Sequence, residues 1–204
     1  MRKDLATTAI LIALAVAVGI LLATVPNVEG ISAVCFFSGY LVGWKRGATI
    51  GATAMLLLSL LNPLGPAPPP VLASQVAGMA VVGAAGSVFR RVGGRLLGVG
   101  FWAAGFGAGL TLVYDGLTNY GVAVSIGRWR APIPILLAGV PFAVIHIATN
   151  ALIFGAVSAL VTRKRWPGAH GVRQAADRTA QDRRRQAVED LNRTTQDPQG
   201  KDRH

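Results

Sequence analysis

Two pairs of polar side chains sit inside stretches of sequence that are otherwise apolar. Asp115 and Asn119 belong to Tyr114-Asp115-Gly116-Leu117-Thr118-Asn119-Tyr120, and His146 and Asn150 to His146-Ile147-Ala148-Thr149-Asn150. Each pair is four residues apart, so on a helix both members share one face. A carboxylate and an imidazole are groups that hold polar ligands or pass protons. More polar residues recur in short connecting segments. Asn27 and Glu29 lie in Pro26-Asn27-Val28-Glu29-Gly30, Asn62 opens a proline-rich stretch, and Gln75 follows Ser74. At the centre of a membrane helix an Asp costs about 2.5–3.5 kcal/mol, so such a group needs a partner or a wet cavity. For Asp115 and His146 the sequence favours a lining role over interhelical hydrogen bonding. For Asn27 and Glu29 a polar loop at an interface explains the residues equally well.

Some chemistry is missing. There is no G-x-x-x-x-G-K-S/T phosphate loop, no H-E-x-x-H zinc motif and no G-x-S-x-G elbow. His146 and Asp115 could form an acid/base pair, but no nucleophile accompanies them at a recognised spacing. No inverted repeat relates the two halves, as it does in many secondary transporters. The single cysteine, Cys35, excludes an internal disulfide and a thiolate cluster made by one chain. No cofactor and no metal site is expected. The sequence reads as a binder without its own motor.

The elements that position these residues follow from composition. Of 204 residues, 52% are hydrophobic and 14% charged, with a mean hydropathy of +0.48. Soluble domains carry about 25% charged residues, so this chain is too apolar for one. Residues 1–162 hold nine basic and three acidic side chains, whereas 163–204 hold eleven and six. The expectation is a transmembrane domain over 1–162 and a basic, polar tail over 163–204, partly helical near 172–193 and disordered after Asp197-Pro198. Charge-free runs, with 47–89 broken by five prolines between Asn62 and Pro70, predict six helical spans near 5–25, 28–44, 47–61, 71–89, 96–118 and 134–161.

Arg2 and Lys3, Lys45 and Arg46, Arg90, Arg91 and Arg95, and Arg163 to Arg165 all fall on one side of six crossings. Only Arg128 and Arg130 fall on the other, so both termini are expected to be cytoplasmic. Residues 1–25 could instead be a cleaved signal, but the apolar stretch is long and no small-x-small site precedes Pro26. The net charge of +11 does not point to nucleic acid, because the basic residues of the body cap apolar runs. Lipid headgroups are the natural neighbour of a basic tail, and a solvated extension is an equal reading. With this orientation Asn27, Glu29, Asn62, Gln75, Asp115, Asn119, His146 and Asn150 all gather in the outer half, which predicts a pocket open to the outside.

Small residues mark helix faces. Ala9, Ala13 and Ala17 recur every four residues in the first span, Gly39, Gly43, Gly47 and Gly51 across the second and third, and Gly105 and Gly109 in the fifth. The glycines are read as internal packing.

Four stretches together resemble a known family. They are Val25-Pro26-Asn27-Val28-Glu29-Gly30, Asn62-Pro63-Leu64-Gly65-Pro66, Tyr114-Asp115-Gly116-Leu117-Thr118-Asn119, and Pro141-Phe142-Ala143-Val144-Ile145-His146 running on to Asn150. With the six spans they resemble the S component, the substrate-binding subunit, of energy-coupling factor (ECF) transporters, over about residues 5–162. The resemblance implies an all-α bundle of six helices in a prokaryotic inner membrane. It implies a vitamin-class ligand held in the outer half, and partners consisting of a membrane coupling (T) subunit and two ATPases. It also implies that Ala9 and Ala13, matching the family's A-x-x-x-A face, dock to the coupling subunit. The Asn-Val-Glu loop and the His/Asn pair lie nearest the cobalamin-like or unassigned branches. Two rival readings are a self-sufficient secondary transporter and an intramembrane enzyme using His146 and Asp115.

Overall fold

A long charge-free run of Ala, Leu, Ile and Val has one stable form when water is absent. Helices satisfy every backbone group within the segment. A computed structural model describes residues 2–62, 65–93 and 98–163, together with Gln181, residues 185–187 and Glu189. The described residues are all-helical, with no strand among them. The chain divides into two units, Met1–Arg163 and Lys164–His204. The described tail residues are helical, and the expected disorder after Pro198 lies outside the described residues.

The first unit contains α1 (Arg2–Leu22), α2 (Ile31–Val42), α3 (Trp44–Leu60), α4 (Pro69–Gly93), α5 (Val99–Ser125) and α6 (Ile133–Arg163). Segments Asp4–Leu22, Pro69–Val92 and Ile133–Thr162 are long and apolar enough to cross a membrane. α2 is apolar but has only 12 residues, and α3 has 17. α5 has the length, but six glycines together with Asp115, Thr118 and Asn119 dilute its apolar character. Side chains such as Leu5, Ile10, Phe101, Leu112, Leu152 and Leu160 are exposed on the outside of the unit. Together with the three apolar helices long enough to cross a membrane, such exposure fits a lipid-facing surface.

Element ends differ from the expected spans in two informative places. α2 and α3 are separated by Gly43 alone, whose φ of 95° is open to glycine at little cost. Lys45 and Arg46 therefore sit in the first turn of α3 rather than in a loop. α5 runs to Ser125 instead of stopping near 118, because nothing in Leu117–Ser125 breaks a helix before Gly127, at φ 73°. Asp115 and Asn119 are thus helix-interior residues and not end residues. α6 continues through Pro141, as the expected span 134–161 does, a tolerance typical of helices in lipid. α4 opens on Pro69-Pro70, where the missing donors are those a first turn leaves unpaired anyway.

α2 is the central helix, packed against α1, α3, α4 and α6, while α1 touches α2 and α3. Phe36 on α2 anchors the core and lies 4.9 Å from Phe154 and 5.4 Å from Phe89, ring centre to ring centre. The glycines of α2 and α3 let α4 come into backbone contact. A Cβ on Gly39 would stand 1.7 Å from the Gly83 carbonyl oxygen, and one on Gly51 2.1 Å from that of Met79. Gly105 and Gly109 behave differently: a Cβ there would meet nothing within 4 Å, so they do not serve the close packing expected of them. The basic helix ends are tied across elements. Arg46 pairs with Asp4 at 2.8 Å, and Arg90 donates to the Leu41 carbonyl at 3.4 Å. Of the polar residues singled out above, Asn27, Glu29, Asn62 and Gln75 lie at or near the opposite helix ends, and Asp115, Asn119, His146 and Asn150 lie within α5 and α6.

Candidate functional site

The site is built from the α1–α2 connection, the α3–α4 connection, and facing stretches of α5 and α6. Short connections and the antiparallel order bring these four regions to one end. The α3–α4 connection is held down by the Ala67 N–H, which donates to Ser59 Oγ at 3.2 Å, and by a turn at Gly65. The α1–α2 connection carries Asn27 at φ 59°, a left-handed conformation that asparagine adopts more readily than most residues. Its carbonyl accepts a hydrogen bond from the Thr149 hydroxyl at 2.8 Å, which pins the connection to α6.

α5 and α6 run antiparallel, and their polar residues meet as rungs. Thr111 Oγ1 accepts from Asn150 Nδ2 at 2.9 Å. One turn further along α5, Asp115 Oδ1 lies 2.8 Å from His146 Nδ1. A turn beyond that, Asn119 packs against Gly139, where a Cβ would stand 2.5 Å from the amide nitrogen. The four-residue spacing seen in the sequence therefore produces pairs across the two helices, not within each one.

His146 is 5% exposed and lies between two carboxylates. Its Nδ1 faces Asp115, and its Nε2 stands 3.5 Å from Glu29 Oε2. Tyr114 meets the imidazole edge-on, with ring centres 6.2 Å apart, and its hydroxyl donates to Met55 Sδ at 3.6 Å. The side chain of Asp115 is 16% exposed and that of Glu29 37%. Glu29 is thus the wetter and looser of the two partners.

Two cavities flank this chain of groups. The larger, about 310 Å³, is lined by Asn27, Glu29, Asn62 and Gln75 together with Ile20, Ile31, Met55, Leu58 and Tyr114. The smaller, about 190 Å³, is lined by Asn27, Asp115, Thr118, Asn119, Phe142 and His146. Seven of the eight residues singled out from the sequence line one or other cavity, and Asn27 lines both. Asn150 lines neither: it is fully buried and bonded to Thr111. Glu29 Oε2, Gln75 Oε1, Asp115 Oδ2, Thr118 Oγ1 and His146 Nε2 are buried atoms that make no hydrogen bond within the described residues. Asn150 Oδ1, away from both cavities, is a sixth; buried polar atoms are nearly always satisfied, so the five on cavity-lining residues mark a place built to meet something polar. No group of three or more His, Cys, Asp or Glu among the described residues is arranged to hold a metal ion.

Sequence reasoning missed Thr111, Thr149, Tyr114 and Met55. Thr111 had a signal, since it lies four residues before Asp115 and so on the same face of α5. Thr149 and Met55 had none, because their partners come from distant segments. Ala9 and Ala13 lie far from the site along α1. Both are exposed and line a shallow surface groove with Ile12, Val16, Thr53 and Leu57. Compared with known proteins, the chain matches no family model, no curated protein and no solved structure.

Proposed function

We propose that this chain is the substrate-binding S component of an ECF-type importer in a prokaryotic cytoplasmic membrane. On this reading six helices span the bilayer with both termini in the cytoplasm, and the two cavities face outward. The chain captures a vitamin-class micronutrient there. It hands the ligand on through a coupling subunit and two ATPases, to which Ala9 and Ala13 dock. The observation that carries the reading is the 310 Å³ cavity, lined by both helix connections and by buried, unbonded polar atoms, at the helix ends opposite Arg46 and Arg90. Pockets for small ligands begin at about 300 Å³, and this one reaches that size with a wall nearly as polar as it is apolar. The volume favours a small vitamin over a corrinoid. The exposed small-residue face on α1 gives a second helix room to approach.

A single experiment separates this reading from its rivals. The purified chain is examined by native mass spectrometry for a retained small molecule and then titrated with a panel of vitamins. Binding at sub-micromolar affinity, with uptake into liposomes only when ATPase partners are present, is the expected result. Uptake by the chain alone under an ion gradient would establish a secondary transporter instead. One observation favours that second reading: an imidazole between two carboxylates is the arrangement a proton relay uses.

A further inference from the structure

The charge of the larger cavity points to the class of its ligand. Among the described residues that line it, Glu29 is the one carboxylate, and no Lys, Arg or His is among them. Glu29 Oε2 is buried and makes no hydrogen bond. Its nearest basic neighbour, His146 Nε2, lies at 3.5 Å, while the other ring nitrogen is engaged by Asp115 at 2.8 Å. Two carboxylates share one imidazole. Acidic groups therefore outnumber basic ones at this wall. Among the described residues Lys45, Arg46, Arg90, Arg91, Arg128 and Arg130 all lie outside both cavities.

Glu29 is half-buried, but its Oε2 is shut off from water and unbonded, and such a carboxylate oxygen wants a positive or N–H-bearing partner. The Gln75 amide, also unbonded at Oε1, can turn either end toward a ligand, so Glu29 sets the sign. The remaining wall supplies Met55, Leu58, Ile20 and the ring of Tyr114. A thioether and an aromatic ring favour a flat, cationic ring system. The volume holds about ten water molecules' worth of liquid at roughly 30 Å³ each.

We infer that the larger cavity takes a small, ring-bearing organic cation whose N–H groups bond to Glu29. This deepens the binding-subunit reading and rests on it. The test is an isosteric series titrated into the full chain in lipid nanodiscs by calorimetry: benzamidinium, benzamide and benzoate, which share size and ring and differ in charge. Benzamidinium is expected to bind saturably, with Kd at or below about 1 mM, benzamide more weakly, and benzoate not measurably. Glu29→Gln is expected to weaken benzamidinium about 10- to 100-fold and to leave benzamide nearly unchanged. The ranking on the unaltered chain needs no variant, so a Glu29→Gln protein that fails to fold leaves the test intact. Benzoate binding as well as benzamidinium, or no saturable benzamidinium binding, overturns the inference. If the chain then still retains a neutral or anionic vitamin, the binding-subunit reading stands without it. Cation binding by a chain that transports alone would keep the inference and overturn that reading.

Discussion

The two contacts of His146 should be unequal, and a pair of double-mutant cycles measures this. One cycle combines His146→Ala with Asp115→Ala, the other His146→Ala with Glu29→Ala. The Asp115 contact is short, at 2.8 Å, and its side chains are 6% and 16% exposed. Interhelical hydrogen bonds in membranes average about 0.6 kcal/mol and reach about 1.7, and a charged acceptor roughly doubles a neutral bond. The expected coupling for Asp115–His146 is therefore about 1–2 kcal/mol. The Glu29 contact is 3.5 Å long and its carboxylate is 37% exposed, so solvent screens it to about 0–1 kcal/mol. The chain contains its own stability probe. Cys35 is the single cysteine and is fully buried. Its labelling by a thiol reagent during titration with sodium dodecyl sulfate in mixed micelles reports opening of the core. If Glu29 couples to His146 as strongly as Asp115 does, the reasoning fails. His146 would then be clamped by both acids, and Glu29 would not be available to a ligand.

Other outcomes follow from the same geometry. Ala9→Trp and Ala13→Trp are expected to abolish partner-dependent uptake while changing ligand affinity less than about twofold, since exposed substitutions move stability by about 0.5 kcal/mol or less; uptake that survives both removes the docking assignment. Gly39→Ala should destabilise by about 1–3 kcal/mol, because its Cβ meets the Gly83 carbonyl. Gly105→Ala, on an open face, should be neutral or stabilising by up to about 1 kcal/mol; equal Cys35 protection in the two variants would contradict this. Thr149→Val removes the bond to the Asn27 carbonyl and should speed ligand release about fivefold, for roughly 1 kcal/mol, as read by stopped-flow dissociation. Ile20→Ala should weaken binding about 3- to 10-fold through lost apolar contact and lower uptake even at saturating ligand. A variant with normal uptake at saturation would show that the cavity and the Ala face are independent.

How much of this was legible depends on whether a feature is local. Helix positions follow from charge-free runs, so α1, α4 and α6 lie close to the expected spans. The end of α5 was not legible because residues 119–125 are neither charged nor strongly apolar, and only Gly127 marks the stop. Polar residues at membrane depth are rare enough to be read directly, which is why Asp115 and His146 stood out in the sequence. An Asp115–His146 pair and interhelical hydrogen bonds were readable as alternatives to a lining role, but the register that joins the helices was not. Four-residue spacing within Asp115–Asn119 and within His146–Asn150 looked like two local pairs, yet the register of α5 on α6 turned them into cross-helix rungs. That register is set by packing at glycines such as Gly107, where a Cβ would stand 2.8 Å from the Phe154 ring. No spacing within one helix encodes it. Asn150 shows the consequence, since its type and position suit a lining residue but register delivers it to Thr111 in the core.

The position of α1 links these observations on the proposed reading. α1 is the peripheral helix, packed against α2 and α3. Its final turn supplies Gly19, Ile20 and Leu22 to the cavity wall, and the connection that follows it supplies Asn27 and Glu29. Its outer face carries Ala9 and Ala13, and Ile20 lines both the cavity and the groove beside that face. A ligand held by Glu29 would therefore order the connection that ends α1, and the most lightly packed helix is the one a ligand can reposition most cheaply. Elements drawn into functional motion come from the less stable part of a structure. The α5–α6 rungs have the opposite character: they are buried and bonded at Thr111–Asn150 and Asp115–His146. They hold the far wall still while the α1 side adjusts. A small shift in α1 at one end of the helices then alters the surface offered to a partner along its length, which requires neither a large rearrangement of the core nor an energy source within this chain.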